Sequence, residues 1–335
     1  MGCWKNNCGQ AFNIGIAANR TTPLVVSICA AGSVVMPKTS SRAITSAAGT
    51  ADTMECVTNV DFSADELQRI VKKVGAWLAW GGSVGLAPAD DKLIKVERTL
   101  RIDPEAQLLA SILSKKISCG SKYVLIDIPY GKGAKVSLEE GRRLSKKFIY
   151  FGGKFGLKMK VILTNGIQPI GNGIGPVLEI MDVLKVLKRE NDRPLDLEKK
   201  AIMLAGEIFE IVGKAEKGKG KEMAFSILNS GRALKKFNEI IDVQGRKKEE
   251  LELGKFKQEV LAKRDGKIKS IDNREINGVA NVLGCPFDKS AGIYLMKHIG
   301  DSVKKGEKIA VLYAESHEKL KDGVDEWNKE KVVVY

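Results

Sequence analysis

The chain has 335 residues, 44% hydrophobic and 29% charged, with a formal net charge of +14. That length and balance fit a globular protein of two domains, or one large domain plus a small one. No apolar run reaches the roughly 18 residues of a membrane span, and the N-terminus lacks the basic and apolar regions of a signal peptide, so a cytoplasmic location without a membrane partner is expected.

The first periodic segment, residues 23–33, reads as a buried helix ending near Gly32. Ser63 and Glu66 form a capping box ahead of "ADELQRIVKKVGAWLAW", an amphipathic helix expected to stop at Gly81-Gly82. "IDPEAQLLASILSKKI" predicts a helix with Asp103 at the N-cap and Pro104 at the first helical position. "KYVLIDIP" reads as a strand, "SLEEGRRLSKKFIYFGGKFG" as a helix and "LKMKVILTNG" as a second strand. Helices follow at about 176–189, 195–213 and 220–237. Strands alternating with helices predict an α/β fold: a mostly parallel sheet with crossover helices. From about residue 263 short strands and turn signals take over, which predicts a separate small β-rich domain at 263–335 after an α/β core at 23–262.

Charge and rare residues narrow the function. Lys and Arg are mixed with Glu, as in "KAEKGKGKEMAF" and "GRKKEELELGKFKQE", and aromatics make up only 6% without a stacking ladder. This argues for a solvated surface over a nucleic-acid track, although the positive field would still attract a phosphorylated small molecule. Cys29, Cys56, Cys119 and Cys285 are isolated, and Cys3 with Cys8 has no second pair at zinc spacing. His298 and His317 are the two histidines and sit in no motif, which argues against a His-based triad or metal centre.

The stretch "KTSSRAITSAAGTADTME", Lys38 to Glu55, contains seven Ser or Thr among 18 residues and little bulk. Hydroxyls, backbone N–H groups and one guanidinium could together hold a phosphate. A packed crossing of small residues explains the composition equally well. Two glycine-rich turns, "PYGKGAKV" and "TNGIQPIGNGIGP", each follow a strand, where ligands of open α/β sheets gather. Neither has Walker spacing. Asp103 is either an N-cap or an acid. Ser111 and Lys115 share a helix face and either line a site or mark a wet face. Lys135 either binds an anion or is exposed.

The order Ser40, Arg42, Gly49-Thr50, Asp52, Glu55 resembles the signature of the thymidine and pyrimidine-nucleoside phosphorylase family. "LAPADDKLIKVERTL", "LLASILSKKI", "IDIPYGKGAKV" and the C-terminal region resemble it in the same order, from about Gly15 onward. "NRTTPLVVSICAA" leading into "PKTSSRAITS" is similar to the archaeal-type branch that acts on nucleoside monophosphates. The resemblance implies phosphorolysis of AMP, and also CMP and UMP, to free base and ribose 1,5-bisphosphate. Inorganic phosphate would be the co-substrate, with no metal or redox cofactor, in a homo-oligomer. It assigns substrate binding to Gly15, Ser41, Arg42, Ala43, Ile44, Thr45, Ser46, Thr50, Ser111 and Lys135, base contact to Lys115, and proton donation to Asp103. An N-cap carboxylate has a lowered pKa, so Asp103 serves as an acid only where burial or ligand contacts raise it again. A thymidine or pyrimidine nucleoside phosphorylase and a non-catalytic nucleotide-binding remnant are the alternatives.

The family usually carries Lys-His-Ser ahead of "NRTTP", where this chain has Gln10, Ala11 and Phe12. Residues 1–22 are therefore expected to be a divergent remnant of the phosphate-binding segment. A truncated reading of a longer protein, with impaired turnover, is the corresponding expectation.

Overall fold

Short strands build two parallel sets, and the strands at Tyr123–Tyr130 and Lys158–Asn165 are the ones rich in Val, Ile and Leu. The computed structural model describes residues 9–13, 19–43, 46–84, 105–134, 136–330 and 332–334. Strand β1 (Gly9–Asn13) pairs in parallel with β4 (Tyr123–Tyr130), and β4 pairs in parallel with β5 (Lys158–Asn165). Strand β2 (Met36–Ser40) pairs in parallel with β3 (Ala76–Trp80). β1 also passes close to β2, so the spatial order is β3, β2, β1, β4, β5. The chain leaves β1 towards β2 and β3, then returns to the opposite side for β4 and β5. Such a reversal opens a crevice at the carboxyl ends of the strands. Val124, Leu125, Ile126 and Ile128 of β4 are all buried, as expected of a strand covered on both faces.

Helix α1 (Thr21–Ala31) matches the expected buried helix and has apolar residues on every side. A side chain at Gly32 would lie 2.4 Å from the Phe209 ring, so glycine is required for that approach. A five-residue helix, α2 (Thr50–Met54), follows the loop after β2. Helix α3 (Ala64–Val74) begins with the predicted capping box, Ser63 accepting from the Glu66 N–H.

Helix α3 does not run on to Gly81-Gly82. It ends at Gly75, whose φ of 79° is left-handed, and "AWLAW" forms β3 instead. Ala76, Trp77, Leu78 and Ala79 are buried. An apolar run of that length carries no periodicity to separate a buried strand from a helix continuation. A turn of helix, α4 (Gly81–Val84), follows. Helices α5 (Glu105–Ser118) and α6 (Leu138–Lys154) cover β4 and β5 through Leu109, Ile112, Leu113, Leu144 and Phe148.

Helices α7 (Pro176–Lys188) and α8 (Leu195–Ile211) agree with the sequence pattern. The segment expected as one helix at 220–237 is two, α9 (Gly220–Asn229) and α10 (Arg232–Val243). Gly231, at φ 76°, breaks it. The buried faces of α1 and α7 to α10 form one core with β2 and β3. Within it Arg20 is fully buried, 3.0 Å from Asp182 and 3.4 Å from Glu179.

The C-terminal part has an antiparallel sheet in the order β6 (Gly173–Ile174), β10 (Gly292–Leu295), β12 (Lys308–Ala314), β7 (Phe256–Leu261). Two small pairs join it: β8 (Gly266–Lys267) with β11 (Ser302–Val303), and β9 (Ser270–Ile271) with β13 (Val333–Val334). β7 lies ahead of residue 263, and β6 comes from the turn after β5.

The stretch read as strands around "NREINGVANVL" is helix α11 (Asn273–Leu283), and a second helix, α12 (His317–Lys329), packs beside it. Asp272 caps α11, accepting from the Arg274 and Glu275 N–H groups. Ile276, Val279, Ala280 and Leu283 line its buried face at helical spacing.

Candidate active site

Parallel pairing puts the carboxyl ends of the strands at one end of the sheet. β1, β2, β4 and β5 end at Asn13, Ser40, Tyr130 and Asn165. The segments carrying Gly15, Ser41–Ser46 and Lys135 each follow one of these ends. Gly15, Ile44, Thr45, Asp103 and Lys135 themselves lie outside the described residues. Ser111 and Lys115 stand one turn apart on α5, with Lys115 Nζ 3.4 Å from Ser111 Oγ.

The loop from Ser41 to Gly49 is closed on itself by its own charges. Asp52, the third residue of α2, is buried, and its Oδ2 accepts from the N–H groups of Ala43 at 2.7 Å and Gly49 at 2.8 Å. Its Oδ1 accepts from Arg42 Nη1 at 3.2 Å. Arg42 donates to both oxygens of Glu55, at 2.8 and 2.7 Å. The same guanidinium lies over the Trp80 ring, 4.9 Å from its centre. Lys289, from the C-terminal part, sits 2.8 Å from Glu55 Oε2. A side chain at Gly49 would come within 2.3 Å of the Ser41 carbonyl oxygen, so glycine lets the two ends of the loop touch.

The packing reading of this stretch finds a counterpart. Ala47, Ala48 and Ala51 are buried as packing residues. Several hydroxyls are bound to backbone: Ser46 to Ala48 O at 2.9 Å, Thr50 to Asn19 O at 3.2 Å, Thr53 to Gly49 O at 3.1 Å. Asn19 donates to Ala48 O. The Ser41 side chain is exposed. Arg42 is engaged by Glu55 and Asp52, so its guanidinium holds the loop's shape.

The electrostatics follow from these partners. The Arg42 fork, helped by Lys289 and opposed by partial burial, holds the Glu55 carboxyl down at about 2. The same carboxylates push the Arg42 guanidinium up. Lys38 on β2 is buried, its Nζ 2.5 Å from Thr39 O, and burial with Lys116 nearby lowers its pKa well below the ordinary lysine range. Lys200 on α8 pairs with Asp127 of β4 at 2.7 Å, and Thr164 of β5 donates to Asp127 at 2.6 Å. The sequence reading gives no role to Lys38 or to the Asp127–Lys200 pair, because no motif marks them.

Helix α11 also reaches this end. Asn277 accepts from the Ala47 N–H at 2.8 Å, and Asn273 donates to Gly166 O at 2.8 Å. No motif marks either residue.

A parallel sheet with a self-locked loop at the carboxyl end of β2 defines an α/β protein whose candidate site lies at the carboxyl ends of its strands. Comparison with known proteins makes this specific. Residues 267–333 match the pyrimidine nucleoside phosphorylase C-terminal domain. The chain is 48% identical over 315 residues to the AMP phosphorylase of Methanococcus maripaludis strain C6, covering 93% of this chain and 62% of that protein. It is 48% identical over 315 residues to the AMP phosphorylase of Pyrococcus horikoshii, covering 92% and 62%. It is 47% identical over 311 residues to a putative thymidine phosphorylase of Ralstonia nicotianae, covering 92% and 61%. Among solved structures, anthranilate phosphoribosyltransferase from Thermus thermophilus superposes with a TM-score of 0.57 at 17% identity, over 72% of this chain and 78% of that one, which speaks for the fold alone.

Residues 267–333 thus carry a domain of the pyrimidine nucleoside phosphorylases. The chain as a whole is similar to AMP phosphorylases along 93% of its own length and spans 62% of theirs.

Proposed function

We propose that this chain carries the phosphorolytic core of a nucleoside-monophosphate phosphorylase. The reaction is that of a pentosyltransferase: AMP and inorganic phosphate give adenine and ribose 1,5-bisphosphate, with CMP and UMP as further substrates. The observation that carries the reading is the loop from Ser41 to Gly49, held shut by Arg42, Asp52 and Glu55 at the carboxyl end of β2.

In this reading the segment Ser41, Arg42, Ala43, Ile44, Thr45 and Ser46, with Thr50, receives the 5′-phosphate; Asp52 takes the Ala43 N–H, so the donors come from the rest of the segment. Gly15 allows close approach, and Lys135 adds positive charge. Because Asp52 and Glu55 offset the Arg42 charge, binding relies on oriented dipoles more than on one salt bridge. Ser111 and Lys115 face the base. Asp103 protonates it as the ribose takes on oxocarbenium character. A homo-oligomer in the cytoplasm is the working form.

Gln10 and Phe12 stand where the family pattern has Lys and Ser, so AMP binding is expected to exceed turnover. The test measures AMP affinity by calorimetry and phosphate-dependent adenine release, with adenosine and thymidine in parallel, for the chain and for a Gln10→Lys, Phe12→Ser variant. Binding of AMP over adenosine, and faster adenine release by the variant, are expected. Thymidine cleaved faster than AMP would replace this reading with a nucleoside phosphorylase. AMP binding without any phosphate-dependent release, even in the variant, would leave a non-catalytic nucleotide-binding protein.

A further inference from the structure

We infer that Asn277, in the C-terminal part of the chain, is a positioning residue for the loop of Ser41–Gly49. The inference rests on the reading of that loop as a 5′-phosphate cradle and adds the part of the fold that sets its shape.

Asn277 is buried on α11, and its amide works in both directions. Oδ1 accepts from the Ala47 N–H at 2.8 Å, while Nδ2 donates to Asn273 O, one turn earlier, at 2.6 Å. The second bond fixes which end of the amide faces the loop, so Ala47 meets an acceptor. The Ala47 methyl group is buried and belongs to the apolar cluster of the C-terminal part. One loop residue is thus held by its backbone and its side chain, and both anchors belong to the C-terminal part.

Ala47 directly follows the Ser41–Ser46 segment, so its anchor fixes where that segment ends. Asp52 and Arg42 fix where it begins. The same helical turn reaches two more loops at the carboxyl ends of the strands. Asn273 donates to Gly166 O after β5, and a side chain at Gly133 after β4 would lie 3.4 Å from the Asn273 backbone nitrogen. The first turn of α11 therefore sets the loops after β2, β4 and β5 in register with one another. Asn277 acts through this register and need not touch the nucleotide.

The test compares Asn277→Leu, nearly isosteric but unable to hydrogen-bond, with Val279→Ala on the same helix. Val279 is buried in the same cluster, and its aliphatic side chain has no hydrogen-bonding group to offer the loop. Hydrogen exchange of residues 41–49, followed by mass spectrometry, reports the loop directly. Dissociation constants for AMP and adenosine report its use. Asn277→Leu is expected to speed exchange across 41–49 and to weaken AMP about tenfold, the equivalent of one lost neutral hydrogen bond, with adenosine little changed. Val279→Ala should lower the melting temperature while leaving loop exchange and the AMP-to-adenosine ratio as in the unaltered chain. Unchanged exchange in Asn277→Leu, or the same loop and ratio changes in both variants, would overturn the inference. If the unaltered chain binds no AMP while Asn277→Leu still frees the loop, the functional reading fails and the positioning role stands.

Discussion

Asp52 is the sharpest test of how the loop after β2 is held. Its carboxylate has two backbone N–H groups on one oxygen, from Ala43 and Gly49, and an Arg42 N–H on the other. Asp52→Ala would leave these donors without an acceptor. At about 1–3 kcal/mol for each stranded donor, the two backbone groups alone predict a loss of roughly 2–6 kcal/mol. Asp52→Asn is nearly isosteric. Its oxygen can still take both backbone N–H groups, while its amide nitrogen would face Arg42 as donor against donor, so the expected loss is about 1–2 kcal/mol. Urea unfolding midpoints of the two variants measure the difference, and AMP affinity should fall in the same order. Equal destabilisation by Asn and Ala, or a loss under about 1 kcal/mol for Ala, would show that these hydrogen bonds do not hold the loop.

Three further outcomes follow from the same geometry. Gly49→Ala should cost about 1–3 kcal/mol by overpacking, because the new methyl group would meet the Ser41 carbonyl oxygen at 2.3 Å; thermal melts and AMP titration would check it. Arg20→Met strands Asp182 and Glu179 in the core and should cost about 3–5 kcal/mol, read from the urea midpoint, with a near-neutral result refuting the buried pair. Glu55 binds its proton more weakly folded, at about 2, than its usual value near 4.5, so its contribution is complete above about 4.5 and is lost as pH falls towards 2. Discounted for solvent screening, Glu55→Gln should remove about 1–2 kcal/mol of that acid-side loss in a pH series of unfolding curves.

The sequence was most readable where local chemistry and periodicity agree. Ser63 with Glu66 marks the start of α3, and the apolar run of β4 marks a buried strand. It was least readable where one run suits two structures. "AWLAW" lies just past Gly75 and is buried enough to fit either a helix end or a strand; pairing with β2 decides it. "NREINGVANVL" has helical spacing, but its Asn and Gly residues weaken the pattern until α11 is seen packed on the C-terminal sheet. At the site, the order of Arg42, Asp52 and Glu55 was legible while their mutual pairing was not. Residue order records that charges occur together; it does not say that Arg42 faces Glu55 and Asp52. Asn277 could not be found in advance, because its partner, Ala47, lies far away along the chain and no short spacing links them.

The two-residue strand β6 has a consequence for synthesis of the chain. Ile174 pairs with Ile293, although β6 leaves the ribosome long before β10 exists. Until β10 emerges, Gly173 and Ile174 have no sheet to join, and the turn that carries them stays unanchored on that side. Closure of the fold is therefore a late event, governed by a contact between distant positions, which slows folding. A swap of the C-terminal part between relatives would have to carry β6 and β7 along with it. A graft cut at residue 263 would sever both strands from the sheet they complete.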